Sequence, residues 1–565
     1  MSSEQMWGAQ VEKISLILKF ISPKLDLQTM TTLFKNQIRG IYFYFLIALS
    51  LSLWLLQFNN FLTPDGANYI RIGVNIFAGK GITSNPGEPY TAHPPFYAFL
   101  IGLFHLLIPD LEFTAHFIPA LMFALTVFPL FFIAERIYGR ESAHWACLLY
   151  MTHGFLLIYS NLIMAEPLFT FLLMTQIFLL QDLILSEERQ VKKPLCFGFA
   201  AGLCYLTRPE GLLFFGTGMI SIFLLARKTW ADKMRILFLF TAPFLFLVLP
   251  YLVFVHRHTG HWQPSRNSSF QIIVRQMSVA HPQPYIQTKK LLFGLSSDKT
   301  RREIDERIDN FRLVDYIKKD NFALIKSGAP SLILRFQELN MYFFAGLGLI
   351  LVGASFFNAA WASRRTKMEI LLILFLVPSF FHIFLIPDPR RYLPIFPILL
   401  LWAGHGIHTI RQWAADSFRW SRKKSFRLAA GIVLGLTFSS AGYLYHALNG
   451  ISLPLEHREM GIWMKENIPG IDHEKVVTEH PFVHFYSGAS YAFIPYTASF
   501  EDFRTYLRHL PAKYFVISQD FDPIYLESFG FLLDESKALP VGVKRLHTVS
   551  GKNKMVLFEI ENPNS

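Results

Sequence analysis

The sequence predicts a polytopic α-helical membrane protein with a small soluble α/β domain at its C-terminal end. Composition is the first reason: of 565 residues, 52% are hydrophobic, 57 are Phe and only 17% are charged, far from the average of soluble globular proteins. Repeated long apolar stretches are the second, because a bilayer core about 30 Å thick requires roughly 20 apolar residues per helix. The third is a more polar C-terminal tail with strand-like patterns.

About eleven transmembrane helices are predicted between residues 41 and 449. They cover residues 41–58, 115–137, 142–160, 167–183, 195–207, 211–226, 235–255, 341–358, 369–386, 392–410 and 428–447. The stretches 195–207 and 211–226 are short for full spans, and we interpret them as a hairpin. One continuous span would place the basic segment 419–424 outside, against the rule that positively charged loops stay in the cytoplasm.

The distribution of Lys and Arg predicts the orientation. With the N-terminus inside, 23 basic residues fall in the inner segments 1–40, 136–141, 186–194, 227–235, 363–367 and 411–427, whereas five fall in the short outer segments. We therefore expect a multi-pass protein of the cytoplasmic (inner) membrane with its C-terminal domain outside. The net charge of +12 is explained by retention and by anionic membrane lipids, so nucleic acid is not an expected partner.

Four segments are predicted to lie outside the spans. Residues 1–40 form a cytoplasmic segment with an amphipathic pattern at 11–20 and no cleavable signal peptide. The outer loop 59–114 contains a helix from Asp65 to Phe77 and an apolar stretch, 95–107, that is short enough to lie at the interface or re-enter the membrane. The outer loop 256–340 has an amphipathic centre at 298–320.

The tail, residues 450–565, is predicted to be an extracytoplasmic α/β domain. Strands are expected at 475–478, 491–496 and 513–518, with a helix at 501–510 and a terminal hairpin that turns at 550–553. The tail has no Gly-rich phosphate loop, so we do not expect it to bind a nucleotide. All three cysteines of the chain fall in predicted spans, which excludes a zinc site of the Cys-cluster type.

Asp65 is the first candidate site residue, because it lies just beyond the first span at the outer face. Asp is also a favoured helix cap, so it could simply begin the helix that follows. On that helix Asn68 and Tyr69 share its face at i+3 and i+4 and are candidate substrate-binding residues.

Glu166 is a second acid, at the outer start of a span. An acid there is stabilised by the positive end of the helix, yet acids at the edge of apolar spans usually have a function. Asp65 and Glu166 could act as a base and its orienting group, or they could hold a divalent cation. Their spacing does not decide, so the metal ligands are left unknown and no cofactor is required.

Arginines provide the candidate phosphate site. Arg390 and Arg391 lie on a short outer turn, where snorkelling towards head groups is the ordinary explanation, but guanidinium groups bind phosphate in bidentate fashion, and we favour phosphate. Arg208 is expected to pair with Glu210 and to be a secondary phosphate ligand. His93 is most simply a loop residue, with metal binding or hydrogen bonding as alternatives.

Five short motifs, taken in order, resemble the GT-C integral-membrane glycosyltransferases. They are Pro64-Asp65-Gly66-Ala67-Asn68-Tyr69, His93-Pro94-Pro95-Phe96-Tyr97, Ala165-Glu166-Pro167-Leu168, Leu206-Thr207-Arg208-Pro209-Glu210-Gly211 and Arg391-Tyr392-Leu393-Pro394. More closely, the chain is similar to the branch with dolichyl-phosphate-mannose protein mannosyltransferases and aminoarabinose lipid A transferases. It differs from that branch at Gly66, where the family has a second acid, and at Ala92-His93, where some members have Glu-Lys.

The resemblance implies a GT-C-type fold and a polyprenyl-phosphate-linked sugar donor. It implies that Asp65 is the general base and Glu166 the second acid, and that Arg391, with Arg390 and Tyr392 beside it, lies near the donor phosphate. The predicted reaction is an inverting displacement onto a protein, lipid or glycan acceptor at the outer membrane face. A lipid or polysaccharide transporter or flippase is the main alternative, and a non-catalytic membrane scaffold is a third.

Overall fold

The computed structural model describes residues 27–58, 62–85, 88–186, 188–268, 270, 290, 293–295, 323–357, 363–385, 388–450, 455–497 and 499–561. This part of the chain is mostly helical. Its N-terminal helices are α1 (Leu27–Leu55), α2 (Pro64–Phe77), α3 (Phe96–His105), α4 (Leu111–Tyr138), α5 (Arg140–Met151), α6 (Gly154–Tyr159), α7 (Glu166–Leu185), α8 (Lys192–Thr207), α9 (Gly211–Leu225) and α10 (Trp230–Thr259). They are followed by α11 (Ala323–Tyr342), α12 (Leu347–Ala354), α13 (Ser363–Leu385), α14 (Phe396–Ser417) and α15 (Arg422–Gly450).

Five of the described helices are long and apolar enough to cross a membrane, namely α4, α7, α10, α13 and α15, and a sixth candidate is the pair α11 and α12. The remaining predicted spans coincide with α1, α5, α8, α9 and α14, which are shorter or less apolar. Length and composition therefore support a multi-pass protein with five or six such helices among the described residues, and the count of about eleven stays a prediction.

Two predicted spans are not continuous helices, and the backbone shows why. The span 142–160 breaks between α5 and α6 at His153, whose Nδ1 accepts a hydrogen bond from the Leu156 N–H at 3.4 Å and so begins a new helix. The span 341–358 bends by 89° between α11 and α12. Gly346, with φ of 87°, allows that bend because it has no Cβ.

The helices α8 and α9 form the predicted hairpin. A Cβ added to Gly211 would lie 2.5 Å from the Tyr205 backbone N, and one added to Gly218 would lie 2.3 Å from the Phe197 ring. Moving forward along α9 therefore corresponds to moving backward along α8, so the two helices pack closely and antiparallel. The end of α8 and the start of α9, which the turn at 208–210 joins, therefore lie on the same side of the helix layer.

The helices α2 and α3 are both present, close to the positions predicted for them in the segment 59–114. Thr63, not Asp65, caps α2: its Oγ1 accepts a hydrogen bond from the Gly66 N–H at 2.9 Å. Capping alone therefore does not explain Asp65. The helix packs tightly on α3, because a Cβ on Gly73 would lie 2.5 Å from the Ala98 carbonyl oxygen.

The C-terminal residues form a mixed five-stranded sheet with helices. Its elements are α16 (Leu455–Asn467), β3 (Lys475–Thr478), α17 (Phe482–Ser487), β4 (Ser490–Phe493), α18 (Phe500–His509), β5 (Tyr514–Ser518), α19 (Pro523–Phe529), β6 (Val543–Ser550) and β7 (Lys554–Ile560), after the short pair β1 (Thr83–Asn85) and β2 (Glu88–Pro89). The strand order is β4-β3-β5-β7-β6, with β3 parallel to β4 and β5 and with β7 antiparallel to β5 and β6. The three predicted strands, the helix at 501–510 and the terminal hairpin lie at or near their predicted positions, whereas α16, α17 and α19 were not predicted. The amphipathic patterns at 11–20 and 298–320 lie outside the described residues.

The sheet contacts α2 and β1 directly. Arg71 on α2 donates hydrogen bonds to the carbonyl oxygens of Ala489 at 3.0 Å and His484 at 3.2 Å. Asn85 exchanges two 3.0 Å hydrogen bonds with the Tyr491 backbone. The helix that carries Asp65 is thus held between the helix layer and the C-terminal sheet.

Candidate active site

A polar cavity of about 160 Å³ lies where several elements end. The start of α2, the start of α7, the α8–α9 turn and the turn at 389–392 all reach it. Its lining is formed by Asp65, Tyr69, Ala92, His93, Pro94, Met164, Glu166, Thr207, Arg208, Pro209, Glu210, Ser265, Asn267, Ser268, Arg390 and Arg391. Seven of the nine predicted site residues are therefore brought together.

The more exposed group, which we call the open cluster, consists of Asp65 and Arg390 in the cavity lining and of Asp388, which pairs with Arg390. Arg390 Nη1 donates a 2.9 Å hydrogen bond to Asp65 Oδ2, and the Asp65 side chain keeps 35% of its exposure. Burial opposes ionisation of Asp65, but the charge and the hydrogen bond of the Arg390 guanidinium outweigh it and hold the pKa of Asp65 below the usual value. Asp65 is therefore a carboxylate at neutral pH, the state that a general base requires.

Asp388 fixes the other edge of Arg390. Its Oδ2 accepts from Arg390 Nε at 2.9 Å and lies 2.8 Å from Nη2, while its Oδ1 accepts from the Arg390 backbone N–H at 3.0 Å. The last contact begins the 3-10 turn Pro389–Tyr392, because the side chain of Asp satisfies an N–H that lacks a partner at a helix start. One acid thus sets both the turn and the position of its guanidinium.

Glu166 and Arg208 connect the open cluster to the interior. Glu166 is buried at the first position of α7 and forms an ion pair with Arg208. Arg390 Nε is also 3.9 Å from Glu166 Oε1. Arg208 in turn lies 3.1 Å from Glu210 Oε1, which confirms the predicted local pair of the α8–α9 turn.

The second group, which we call the buried cluster, consists of Arg391, Glu210 and His382. Arg391 donates to Glu210, and His382 Nε2 lies 3.0 Å from Glu210 Oε1. The Arg391 side chain is only 4% exposed. Burial raises the pKa of Glu210, but the positive charges around it, led by Arg208, lower it well below the usual value. Neither Arg390 nor Arg391 extends away from the protein as a snorkelling side chain would, because each pairs with an acid of the site.

His93 lies in a polar and aromatic wall of the cavity. Its Nδ1 is 2.7 Å from the Tyr90 hydroxyl and its Nε2 is 3.0 Å from Asn267 Nδ2. The Tyr69 ring lies 5.5 Å from the His93 ring. Burial lowers the pKa of His93, so the imidazole is neutral at physiological pH and serves to shape the wall.

Two predicted substrate-binding residues lie outside the lining. The amide of Asn68 donates to the Pro64 carbonyl oxygen at 3.4 Å, on its own helix. Tyr392 is buried, and its hydroxyl donates to the Arg335 carbonyl oxygen at 2.9 Å. Tyr392 therefore links the turn to α11 instead of facing the cavity.

Several residues in or beside the cavity had no predicted role. Asp388, which pairs with Arg390, follows the usual preference of Asp for the start of a turn, which is a signal available in the sequence. No such signal exists for Asn267, Ser265 and Ser268, which line the cavity, or for His382, which pairs with Glu210, because only the packing of α13 and of the segment after α10 brings them there.

The residues present do not fit a metal site. Within the described ranges, no group of three or more His, Cys, Asp or Glu side chains is arranged to hold a metal ion. The guanidinium of Arg390 also lies between the two acids, 2.9 Å from Asp65 and 3.9 Å from Glu166. We derive no step through a metal.

In chemical terms, the described part of the site brings together four carboxylates and three guanidinium groups. The carboxylates belong to Asp65, Glu166, Glu210 and Asp388, and the guanidinium groups belong to Arg208, Arg390 and Arg391. A carboxylate can accept a proton from an attacking group, and guanidinium groups can stabilise a phosphate that leaves. Carboxylates and guanidinium groups that could perform these two functions line one cavity at the ends of long apolar helices.

Comparison with known proteins gives one partial family match. Residues 92–254 match the family described as dolichyl-phosphate-mannose-protein mannosyltransferase. A search of curated proteins gives no match. The partial family match and the shared fold confirm the predicted resemblance to the GT-C glycosyltransferases.

Solved structures of oligosaccharyltransferases share the fold. The archaeal oligosaccharyltransferase AglB from Archaeoglobus fulgidus, in complex with an inhibitory peptide and a dolichol-phosphate, is 12% identical with a TM-score of 0.56, over 84% of this chain and 69% of that one. The Archaeoglobus fulgidus oligosaccharyltransferase tethered with an acceptor peptide containing the NVT sequon is 11% identical with a TM-score of 0.55, over the same shares. ArnT from Cupriavidus metallidurans in the apo state aligns over 92% of this chain and 98% of its own, at 12% identity and a TM-score of 0.43.

Proposed function

We propose that the protein transfers a sugar from a polyprenyl-phosphate-linked donor to an acceptor at the outer face of the cytoplasmic membrane. The observation that carries the proposal is the convergence of Asp65, Glu166 and three arginines in one cavity at the ends of apolar helices. An engineered cavity of about 150 Å³ binds benzene, so a cavity of about 160 Å³ has room for one six-membered sugar ring.

The reaction is a single inverting displacement. Asp65 accepts the proton of an acceptor hydroxyl or amine while the lone pair of that group forms a bond to the anomeric carbon. The bond between that carbon and the phosphate oxygen breaks, and the electron pair stays on the phosphate. Arg390, Arg391 and Arg208 stabilise the charge that develops there. Glu166 holds Arg208 and lies close to Arg390.

The membrane placement is part of the proposal. In the 18-residue apolar stretch of each helix, only 17% of α15 and 33% of α10 is buried within the protein. These helices therefore expose apolar surface that lipid would cover. The bias of basic residues supports the N-terminus inside and the cavity and C-terminal sheet outside, and the proposal keeps the predicted count of about eleven membrane helices. A donor at this interface keeps its lipid tail in hydrocarbon throughout the reaction.

The donor and acceptor classes follow from the chemistry and from the comparisons. A lipid phosphate is supported by the three arginines and by the dolichol-phosphate in the AglB complex. A protein acceptor is supported by the acceptor peptide in the related oligosaccharyltransferase. Lipid and glycan acceptors are the alternatives.

A mass-spectrometric comparison of glycoconjugates tests the proposal. Cells with the wild-type protein, cells with Asp65→Asn and cells without the protein are compared in their glycoproteins, glycolipids and free polyprenyl phosphate. We expect one class of conjugate to lose a sugar in both deficient strains. A flippase would move its substrate uncleaved, so reconstituted vesicles that deliver lipid-linked sugar without releasing polyprenyl phosphate would contradict transfer.

A further inference from the structure

The guanidinium of Arg390 has two edges with different partners. Nε and Nη2 face Asp388, at 2.9 and 2.8 Å, and Asp388 also holds the backbone N–H of Arg390. Nη1 faces Asp65 at 2.9 Å. Because Asp388 binds both the backbone N–H of Arg390 and the Nε and Nη2 edge of its guanidinium, Nη1 can change its partner while Arg390 stays in place.

The Asp65 carboxylate and a phosphate group can both accept a hydrogen bond from Nη1 of Arg390. Carboxylate and phosphate oxygens bind guanidinium in the same geometry, and both Asp65 and Arg390 line the cavity. The site already holds four carboxylates against three guanidinium groups. A phosphate that enters therefore competes with a carboxylate for a cation instead of meeting an unused one.

We propose that the Asp65 carboxylate occupies the donor-phosphate position on Arg390 in the substrate-free protein and is displaced by the phosphate. Arg390 is then a positioning residue for the base as well as a ligand for the donor, because the exchange frees Asp65 to accept a proton only when the donor is bound. This inference rests on the proposed function and deepens it by giving donor and acceptor a fixed order.

The exchange also balances the charge of the reaction. When the acceptor proton moves to Asp65, that group loses its negative charge. In the same step the phosphate gains a negative charge from the broken carbon–oxygen bond. Arg390, which left Asp65 when the donor bound, already lies on the phosphate that gains this charge, and the total charge of the site does not change.

Equilibrium binding of undecaprenyl phosphate to the full-length protein in lipid nanodiscs tests the exchange. We expect Asp65→Asn to bind this probe about tenfold more tightly than wild type, since one charge-assisted competitor is removed. Arg390→Gln should bind it at least tenfold more weakly. A gain of affinity in a variant that loses transfer cannot come from misfolding or from a purely structural role.

Asp182→Asn is the matched control. Asp182 is an equally paired carboxylate, 2.7 Å from Arg136 and 2.6 Å from Lys193, but it lies sixteen residues from Glu166 on α7, about 24 Å away along the helix. It removes the same charge and should leave binding unchanged. Weaker or equal binding by Asp65→Asn, with Arg390→Gln still weakened, would overturn the exchange alone. No binding by wild type or any variant would overturn the proposed function and this inference with it.

Discussion

Arg390 and Arg391 are neighbours in the sequence but lie in opposite surroundings. In the open cluster, the side chains of Arg390 and Asp65 keep 27% and 35% of their exposure. In the buried cluster, those of Arg391 and Glu210 keep 4% and 13%. An ion pair that water and substrate can reach is exchangeable, whereas a pair without water is costly to break. We infer that the open cluster holds the base and the exchangeable guanidinium, and that the buried cluster holds Arg391 in a fixed position at the cavity wall for the donor phosphate.

The largest effect is expected in the open cluster. Asp65→Asn should lower sugar transfer in reconstituted vesicles by about 10²–10⁴-fold, the usual contribution of a general base, while expression and thermal stability stay near wild type. Asp182→Asn, measured in parallel, should transfer at the normal rate. Comparable losses in the two variants would mean that charge removal, and not the base, is responsible.

In the buried cluster, stability should respond first. Glu210→Gln leaves Arg391 without its carboxylate, and breaking a buried ion pair costs about 3–5 kcal/mol. We expect a markedly lower melting temperature of the detergent-solubilised protein. The double variant Glu210→Gln with Arg391→Met should lose less than the sum of the two single losses, because contacting residues are not additive. Additive losses would show that the two residues act independently.

The pH profile of sugar transfer tests the electrostatic link between Arg390 and Asp65. Arg390 helps to lower the pKa of Asp65, and the base must be ionised, so wild-type activity should persist above that depressed pKa and fall only as the pH drops through it. Arg390→Gln should raise the pKa of Asp65 and move the acid limb to higher pH, with a lower maximum. Arg390→Lys, which keeps the charge, should return the limb towards wild type. An unmoved limb in Arg390→Gln would remove the electrostatic link.

The smallest effect is expected at the start of α2. Thr63→Ala removes the cap of the helix that carries Asp65, at a cost of about 1 kcal/mol, and should reduce transfer only a few-fold. Thr63→Ser, which keeps the hydroxyl, should behave as wild type in melting temperature and rate. A loss in Thr63→Ala as large as that of Asp65→Asn would show that α2 depends on its cap far more than the contacts of Arg71 suggest.

Local signals account for the parts that the sequence could predict. The strand Lys475–Thr478 has the predicted bounds because its β-branched residues lie between clear turns. The hairpin of α8 and α9 followed from the charge rule. The site residues on short turns were predicted because polar groups beside apolar spans are conspicuous.

Long-range packing accounts for the rest. Asp65 and Arg390 are 325 residues apart, and nothing in either motif indicates that they pair. The cap at Thr63 replaced Asp65 because α2 begins one residue earlier than predicted. The break at His153 depends on α15, since a Cβ on Gly154 would lie 2.3 Å from the Ser440 carbonyl oxygen, a contact invisible from the local sequence.

The most direct test of the central claim is transfer of radiolabelled sugar from polyprenyl-phosphate-linked donors in vesicles that contain purified protein. We predict that wild-type protein forms a labelled conjugate and releases polyprenyl phosphate in equal amounts, and that Asp65→Asn does neither while remaining folded. Undiminished transfer by Asp65→Asn would contradict the account.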